Sequence, residues 1–176
     1  TGTQKDQFGL IFLRKVSYII NNLAFAIYNP DPYLFGVISS LMHTIWVKAV
    51  GGSLETRIRY SSILCYNTFP FPKINSTQKQ EIKKYVYTIL EERENHSEKT
   101  LSQQYDPDEM PEGLRDAHHQ LDLAIERCYR SKPFESDDER LEYLFKLYEQ
   151  MIAEEKERGT LFEGESKTKK KKKKNA

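Results

Sequence analysis

Apolar residues follow three rhythms along this chain. Phe8 to Phe12, Val16 to Ile20 and Leu23 to Tyr28 are short unbroken runs without helical spacing, and they predict two or three buried strands. Asn29-Pro30-Asp31-Pro32 then stops the pattern, because the two prolines remove donors and hold the chain extended. From Tyr33 onward Leu34, Val37, Ile38, Leu41, Met42, Ile45, Trp46, Ala49 and Val50 recur at three and four, which predicts one well-buried helix capped by Gly51-Gly52. Residues 53 to 60 alternate instead: Leu54, Thr56, Ile58 and Tyr60 face one way and Glu55, Arg57 and Arg59 the other, as in a single extended strand. After a last apolar run from Ile63 to Tyr66, Asn67-Thr68-Phe69-Pro70-Phe71-Pro72 cannot continue as helix or central strand.

Beyond this proline pair the rhythm is helical throughout. Thr77 and Gln80 form a capping-box pattern, and Ile82, Tyr85, Val86, Ile89 and Leu90 make a stripe reaching about Arg93. A polar stretch to Gln104 and a turn over Tyr105 to Pro111 follow, with Pro111 placed to open a helix that carries Leu114, Ala117, Leu121, Ala124, Ile125 and Cys128 on one face. Ser136 with Glu139 starts the last helix, its inward positions Leu141, Leu144, Phe145, Tyr148, Met151 and Ile152. The short link between these last two predicts an antiparallel helical hairpin, and the Gly, Glu, Ser and Lys beyond Arg158 predict disorder. The expected class is therefore α+β: a small strand-and-helix domain over residues 1–74, an all-α domain over 75–160 and a Lys-rich tail over 161–176.

Charge sharpens that division. The 176 residues carry 27 Lys+Arg against 26 Asp+Glu, a net charge of +1 that by itself argues against a nucleic-acid partner. Split along the chain, however, residues 1–75 carry +4, residues 76–166 carry −10 and residues 167–176 carry +7. A partner meets local potential and not the average, so the basic first part is the candidate for binding an anion. Mean hydropathy is −0.71 and no apolar run approaches the roughly 18 residues of a membrane span, so a soluble chain without a membrane partner is expected. Cys65 and Cys128 lie in apolar surroundings, which favours free thiols and a cytoplasmic setting over a disulfide framework. The first residue is Thr1, with no secretory leader pattern behind it, so the sequence is expected to be cut from a longer protein.

Several tempting motifs have plainer readings. Asn29-Pro30-Asp31-Pro32-Tyr33 invites comparison with the Asn-Pro-Pro-Tyr loop of amino-methyltransferases, but Asp31 breaks its geometry and no glycine-rich cofactor loop follows a strand. His118-His119 with Asp116 and Asp122 suggests a metal site, yet adjacent histidines on a helix diverge by about 100°, and a solvated helix flank is expected. Asp108, Glu154 and Lys156 imitate a nuclease set but fall in a turn and on an exposed helix end. No nucleophile stands beside a histidine, so no catalytic residue and no metal ligand is assigned. Glu55, Arg57 and Arg59 differ in kind, since residues two apart on one strand project to the same side about 7 Å apart. They form either a solvated strand face or a base-reading row: Arg matches the two major-groove acceptors of guanine, and Glu accepts from the exocyclic amine of cytosine.

At these residues the sequence resembles a known family. Leu34-Phe35-Gly36-Val37-Ile38-Ser39-Ser40, Met42-His43, Trp46-Val47, Ala49-Val50-Gly51-Gly52, Arg59-Tyr60-Ser61 and Tyr66-Asn67-Thr68-Phe69-Pro70-Phe71-Pro72 are similar to the target-recognition domain of MmeI-like Type IIL restriction–modification enzymes. Tyr105-Asp106-Pro107-Asp108-x-Met110-Pro111, Leu114-Arg115-x-Ala117-His118, Leu121-Asp122, Asp138-x-Arg140-Leu141 and Leu147-Tyr148-Glu149 resemble the C-terminal helical domain of the same family.

The resemblance implies that the chain is the double-stranded DNA recognition part of a larger enzyme. That parent would hold an adenine-N6 methyltransferase domain using S-adenosylmethionine and an endonuclease region requiring Mg2+, with neither cofactor bound by this fragment. Two variable positions ahead of the Arg-Tyr-Ser block help to set one base pair in the family, as Glu-x-Arg or Lys-x-Asp; here they are Glu55 and Arg57, and this pair suits C·G. Arg59 and Tyr60, in the common block, are expected to contact phosphate or hold the strand, and Lys48 to contact phosphate or simply face solvent. Two other readings stay open: a nuclease-free phage-defence methyltransferase, or a helical protein-interaction module. The acidic second half is expected to brace the recognition domain or to touch DNA only through a few residues on one edge, and the Lys tail either holds DNA nonspecifically or only solubilises.

Overall fold

The computed structural model describes residues 27, 30–51, 53–54, 57–58 and 60–172, with the backbone alone for 53–54, 57–58 and 159–172. Its elements are α1 (Pro32–Ser39), α2 (Leu41–Val50), β1 (Ser53–Leu54), β2 (Arg57–Ile58), a π-helical turn (Ser62–Tyr66), α3 (Ser76–Asn95), α4 (Leu101–Gln104), α5 (Glu112–Tyr129) and α6 (Asp137–Lys172). The runs predicted as strands between Phe8 and Tyr28 lie, apart from Ile27, outside the described residues.

The helix predicted from Tyr33 to Val50 is two helices, bent by 56°. Ser39 Oγ donates to the Phe35 carbonyl and Ser40 Oγ to the Val37 carbonyl, both at 2.7 Å, which occupies acceptors that a continuing helix would use. Ser40 is extended (φ −76°, ψ 160°), ending α1 and capping α2 by accepting from the His43 N–H at 3.4 Å. A further amide freed by the break, Leu41 N–H, donates to Asp122 Oδ1 on α5 at 2.7 Å. Periodicity is blind to this bend because apolar residues on both sides keep the same spacing. The two helices together have the length and apolarity of a membrane span, but among the described residues no single helix does.

Asp31 shows why the Asn-Pro-Asp-Pro-Tyr segment belongs to the scaffold. Its carboxylate accepts from the Tyr33 N–H at 3.3 Å to cap α1, with Pro32 at the first helical position. The same carboxylate meets Lys79 at 3.0 Å and Lys83 at 2.9 Å, while the Lys79 ammonium lies 4.3 Å from the Tyr33 ring centre. Burial acts to raise its pKa, but the two lysines and the Tyr33 N–H outweigh burial and hold the group below the usual carboxylate range. The start of α1 is thereby tied to α3.

The helical hairpin is formed by α3 and α5, not by α5 and α6. Glu81 pairs with Arg127 at 2.7 Å near one end, and Gly113 faces the Glu92 side chain near the other, so α3 and α5 run antiparallel. Helix α1 crosses both, where a Cβ on Gly36 would stand 2.7 Å from Ile82 Cγ2 and 3.2 Å from Leu121 Cδ1. Only glycine permits that approach. Helix α6 lies chiefly on α2, linked to α5 by Arg140–Glu126 at 2.7 Å and by the Tyr143 hydroxyl donating to the Tyr129 carbonyl at 3.0 Å. Phe35, Val37, Met42, Trp46 and Phe69 share one apolar cluster with Ile82, Val86, Leu114, Leu121, Ile125 and Leu144. The Phe69 to Pro72 segment therefore changes the rhythm of the chain without interrupting its core.

The expected α+β class is overturned. The described residues are helical, and their strand pairing is a ladder of two residues a side, Ser53 opposite Ile58 and Leu54 opposite Arg57. So short a ladder cannot bury a helix face; α3, α5 and α6 cover α1 and α2 instead. The run from Ile63 to Tyr66 is the π-helical turn, with Ile63 70% and Leu64 51% exposed and only Cys65 buried. Local boundaries shift as well. Asn75 and Gln78 make the capping box of α3 two residues before the predicted Thr77 and Gln80, with reciprocal bonds of 2.9 and 3.1 Å. Pro111 is the N-cap of α5 rather than its first residue. Phe145, predicted inward, is 40% exposed, although its ring still meets Trp46 at 5.1 Å. Where composition predicts disorder beyond Arg158, the backbone of α6 continues to Lys172.

The bond at the α1–α2 bend makes stability depend on pH. Burial pushes the Asp122 carboxyl from 3.8 up to about 7, against the Leu41 N–H and Arg140, which lower it; nearby Glu126 adds to the rise. Between pH about 4 and 7 the folded chain then holds a proton that the unfolded chain lacks, so stability falls as pH rises through that window. Asp122→Asn keeps the acceptor for Leu41. Its advantage over the parent in chemical denaturation should grow from near zero at pH 4 to about 1–3 kcal/mol at pH 8. A pH-independent difference between the two would refute this assignment.

Candidate nucleic-acid interface

Helix α2 ends at Gly51, whose N–H donates to the Val47 carbonyl at 2.8 Å. Its φ of −82° is open to any residue, so space and not backbone freedom selects glycine: a Cβ would lie 2.5 Å from Val47 O and 3.2 Å from Cys65 Sγ. Directly beyond, β1 and β2 pair antiparallel, so the chain reverses between Leu54 and Arg57. The stretch predicted as one strand over residues 53 to 60 thus contributes two short antiparallel strands, β1 and β2. Arg57 opens β2 opposite Leu54; Glu55 and Arg59 lie outside the described residues.

The exit of the hairpin is fastened to α2. Tyr60 is half-buried, its hydroxyl 3.2 Å from His43 Nε2, and the imidazole stands edge-on to Phe69 with ring centres 4.6 Å apart. Burial brings His43 down to about 4, so the ring is neutral at physiological pH. Burial, with Cys65 and Tyr66 nearby, pushes the Tyr60 hydroxyl up to about 12. Ser61 N–H donates to Cys65 Sγ at 3.4 Å, the Trp46 indole N–H donates to Thr68 Oγ1 at 3.2 Å, and the Thr68 hydroxyl bonds the Leu64 carbonyl. Lys48 is exposed in the last turn of α2, where a cation suits the helix dipole. Tyr60 and Lys48 therefore stand near the hairpin, Tyr60 turned toward the core and Lys48 toward solvent. Sequence reasoning missed His43, because one polar residue inside an apolar stripe carries no periodic signal.

The remaining candidates are structural. His118 is buried, against the expected solvated flank, while His119 and Asp116 are exposed. Arg93 Nε donates to the Tyr105 hydroxyl at 2.7 Å, and that hydroxyl lies 2.7 Å from His118 Nε2. Since arginine can only donate, Tyr105 passes its own proton toward His118, whose ring burial and Arg93 hold neutral, down to about 3. Gln104, from the stretch predicted merely polar, donates its amide to the carbonyls of Arg93, His96 and Lys99, holding the end of α3. Asp108 and Glu154 are exposed, Asp108 in its turn and Glu154 midway along α6 rather than at a helix end. Among the described residues no three His, Cys, Asp or Glu side chains gather in a metal-binding group. Cys65 and Cys128 are free thiols.

A short hairpin carried on a helical bed, with Arg57 in its second strand, is the class of module this chain presents. Comparison with known proteins gives that class a family. Residues 4–73 match the target recognition domain of MmeI and residues 74–154 match the MmeI C-terminal domain. The chain belongs to the MmeI family, as its C-terminal part. It is 50% identical over 133 residues to DNA methyltransferase A of Bacillus subtilis (strain 168), covering 76% of this chain and 15% of that protein. It is also similar, at TM-score 0.68 and 39% identity, to the Type IIL restriction–modification enzyme MmeI solved in complex with DNA, covering 71% of this chain and 17% of that one. The chain thus spans about one sixth of the length of each relative.

Proposed function

We propose that this chain reads double-stranded DNA for an adenine-N6 methyltransferase, with Glu55 and Arg57 reading one C·G pair. The observation that carries the reading is the placement of Arg57: the family's target recognition domain supplies the hairpin, and the hairpin rises where α2 ends in the basic part of the chain. Glutamate accepts from the cytosine amine and arginine donates to guanine O6 and N7, each such contact discriminating by about 1–3 kcal/mol. Lys48 and Arg59 serve the phosphate backbone, which positions without specifying. Helices α3, α5 and α6, from the part of the chain that is acidic as a whole, support α1 and α2 from behind, away from phosphates that would repel that part.

In this reading the methyltransferase domain and its S-adenosylmethionine belong to the rest of the complete protein in the cytoplasm. The two relatives are a DNA methyltransferase and a restriction–modification enzyme, which favours a parent that methylates whether or not it cleaves. Mg2+ is then required only by a nuclease region. The test is Glu55→Lys with Arg57→Asp in the complete protein, followed by mapping of methylated adenines in genomic DNA. One base of the site should change from C to G, and an unchanged site rules the readout pair out.

A further inference from the structure

We infer that His43 and Tyr60 form a positioning pair that holds the recognition hairpin in the register Arg57 needs. The inference rests on the reading of Arg57 given above. Both feet of the hairpin stand on one helix. The entering strand starts two residues after Gly51, which is packed so tightly against Val47 and Cys65 that a Cβ would collide. The leaving strand ends two residues before Tyr60, whose hydroxyl meets His43 Nε2 at 3.2 Å. His43 and Gly51 are eight residues apart on α2, roughly 12 Å along a helix that rises 1.5 Å per residue.

An apolar contact at Tyr60 would fill the same space but leave the strand able to slide. Sliding matters here because a two-residue ladder pins register weakly, and a slip of one residue turns every side chain to the opposite face. A directional hydrogen bond from a buried ring removes that freedom. His43 is itself immobilised: it is fully buried, edge-on to Phe69 and one turn from Trp46, whose indole holds the chain again at Thr68. The residue at position 57 can then vary in identity while the His43–Tyr60 pair keeps the register of β2.

The test uses the complete protein and duplexes carrying its mapped methylation site or single-base-pair variants of it. Tyr60→Phe retains the ring and deletes the hydroxyl. It should lower discrimination at the base pair assigned to Arg57 by about 5–10-fold, part of what one bidentate contact supplies, with discrimination elsewhere in the site unchanged. His43→Leu should do the same, and His43→Gln, whose amide reaches the position of Nε2, should restore discrimination. In an Arg57→Ala background Tyr60→Phe should add nothing. If Arg57→Ala relaxes its base pair while Tyr60→Phe lowers only the melting temperature, or weakens every position equally, the positioning pair is overturned alone. If Arg57→Ala leaves the site unchanged, the readout assignment fails and the inference with it.

Discussion

Trp46→Ala should lower the unfolding free energy by about 3–5 kcal/mol, the usual cost of truncating a large buried aromatic. Trp46 is fully buried where α2, α6 and the Phe69 segment converge, with ring centres 6.4 Å from Phe69, 5.1 Å from Phe145 and 5.5 Å from Tyr148. Its indole N–H also holds Thr68, so truncation opens a cavity and releases the segment that follows the hairpin. For a chain of this size each kcal/mol moves the melting temperature by roughly 2–4 °C. Differential scanning calorimetry should therefore show a fall on the order of 10 °C, with Trp46→Phe falling much less. Equal effects from the two variants would mean that ring contacts and cavity volume are not what holds this junction.

Arg140→Met should cost about as much for a different reason. Arg140 is 14% exposed and donates from Nε to Glu126 at 2.7 Å, with that carboxylate only 7% exposed. It also meets Asp137 at 3.1 Å, and its charge lowers the pKa of Asp122. Removing the cation leaves a buried carboxylate uncompensated, typically a loss of about 3–5 kcal/mol, whereas replacing both partners with apolar groups can be nearly neutral. Arg140→Met with Glu126→Leu should therefore recover much of the loss. The single variant should also lose less at pH 5 than at pH 8, because Asp122, whose charged form Arg140 favours, is protonated at the lower pH. Urea denaturation of both variants at the two pH values decides it; a double variant no more stable than the single would show that the pair is not the source of the effect.

Much of the helical half is visible in the amino-acid pattern. The stripes on α3 and α5 are buried where spacing places them, including Ile82, Val86, Ile89, Leu114, Leu121 and Ile125. Three kinds of feature are not visible. The bend at Ser40 arises because two adjacent serines turn their hydroxyls back onto helix carbonyls while the apolar spacing continues unchanged. The hairpin at residues 53–58 shares its alternation with a single strand, and only pairing across the reversal separates the two. His43, His118 and Asp122 are polar residues on helices, and what makes each of them matter is a partner elsewhere in the chain: Tyr60, Tyr105 and Leu41.

By itself the sequence determined which residues turn inward on each helix, how charge divides between its halves, and which family blocks it carries. These are local properties, written in spacing and composition. The tertiary structure alone decided that α5 lies along α3 and α6 on α2, that the core runs unbroken past Phe69 to Pro72, and that Tyr60 turns toward His43. A stripe of apolar residues specifies that a face must be covered but not by what. The contacts that choose the cover, such as Leu41 with Asp122, join residues 81 positions apart.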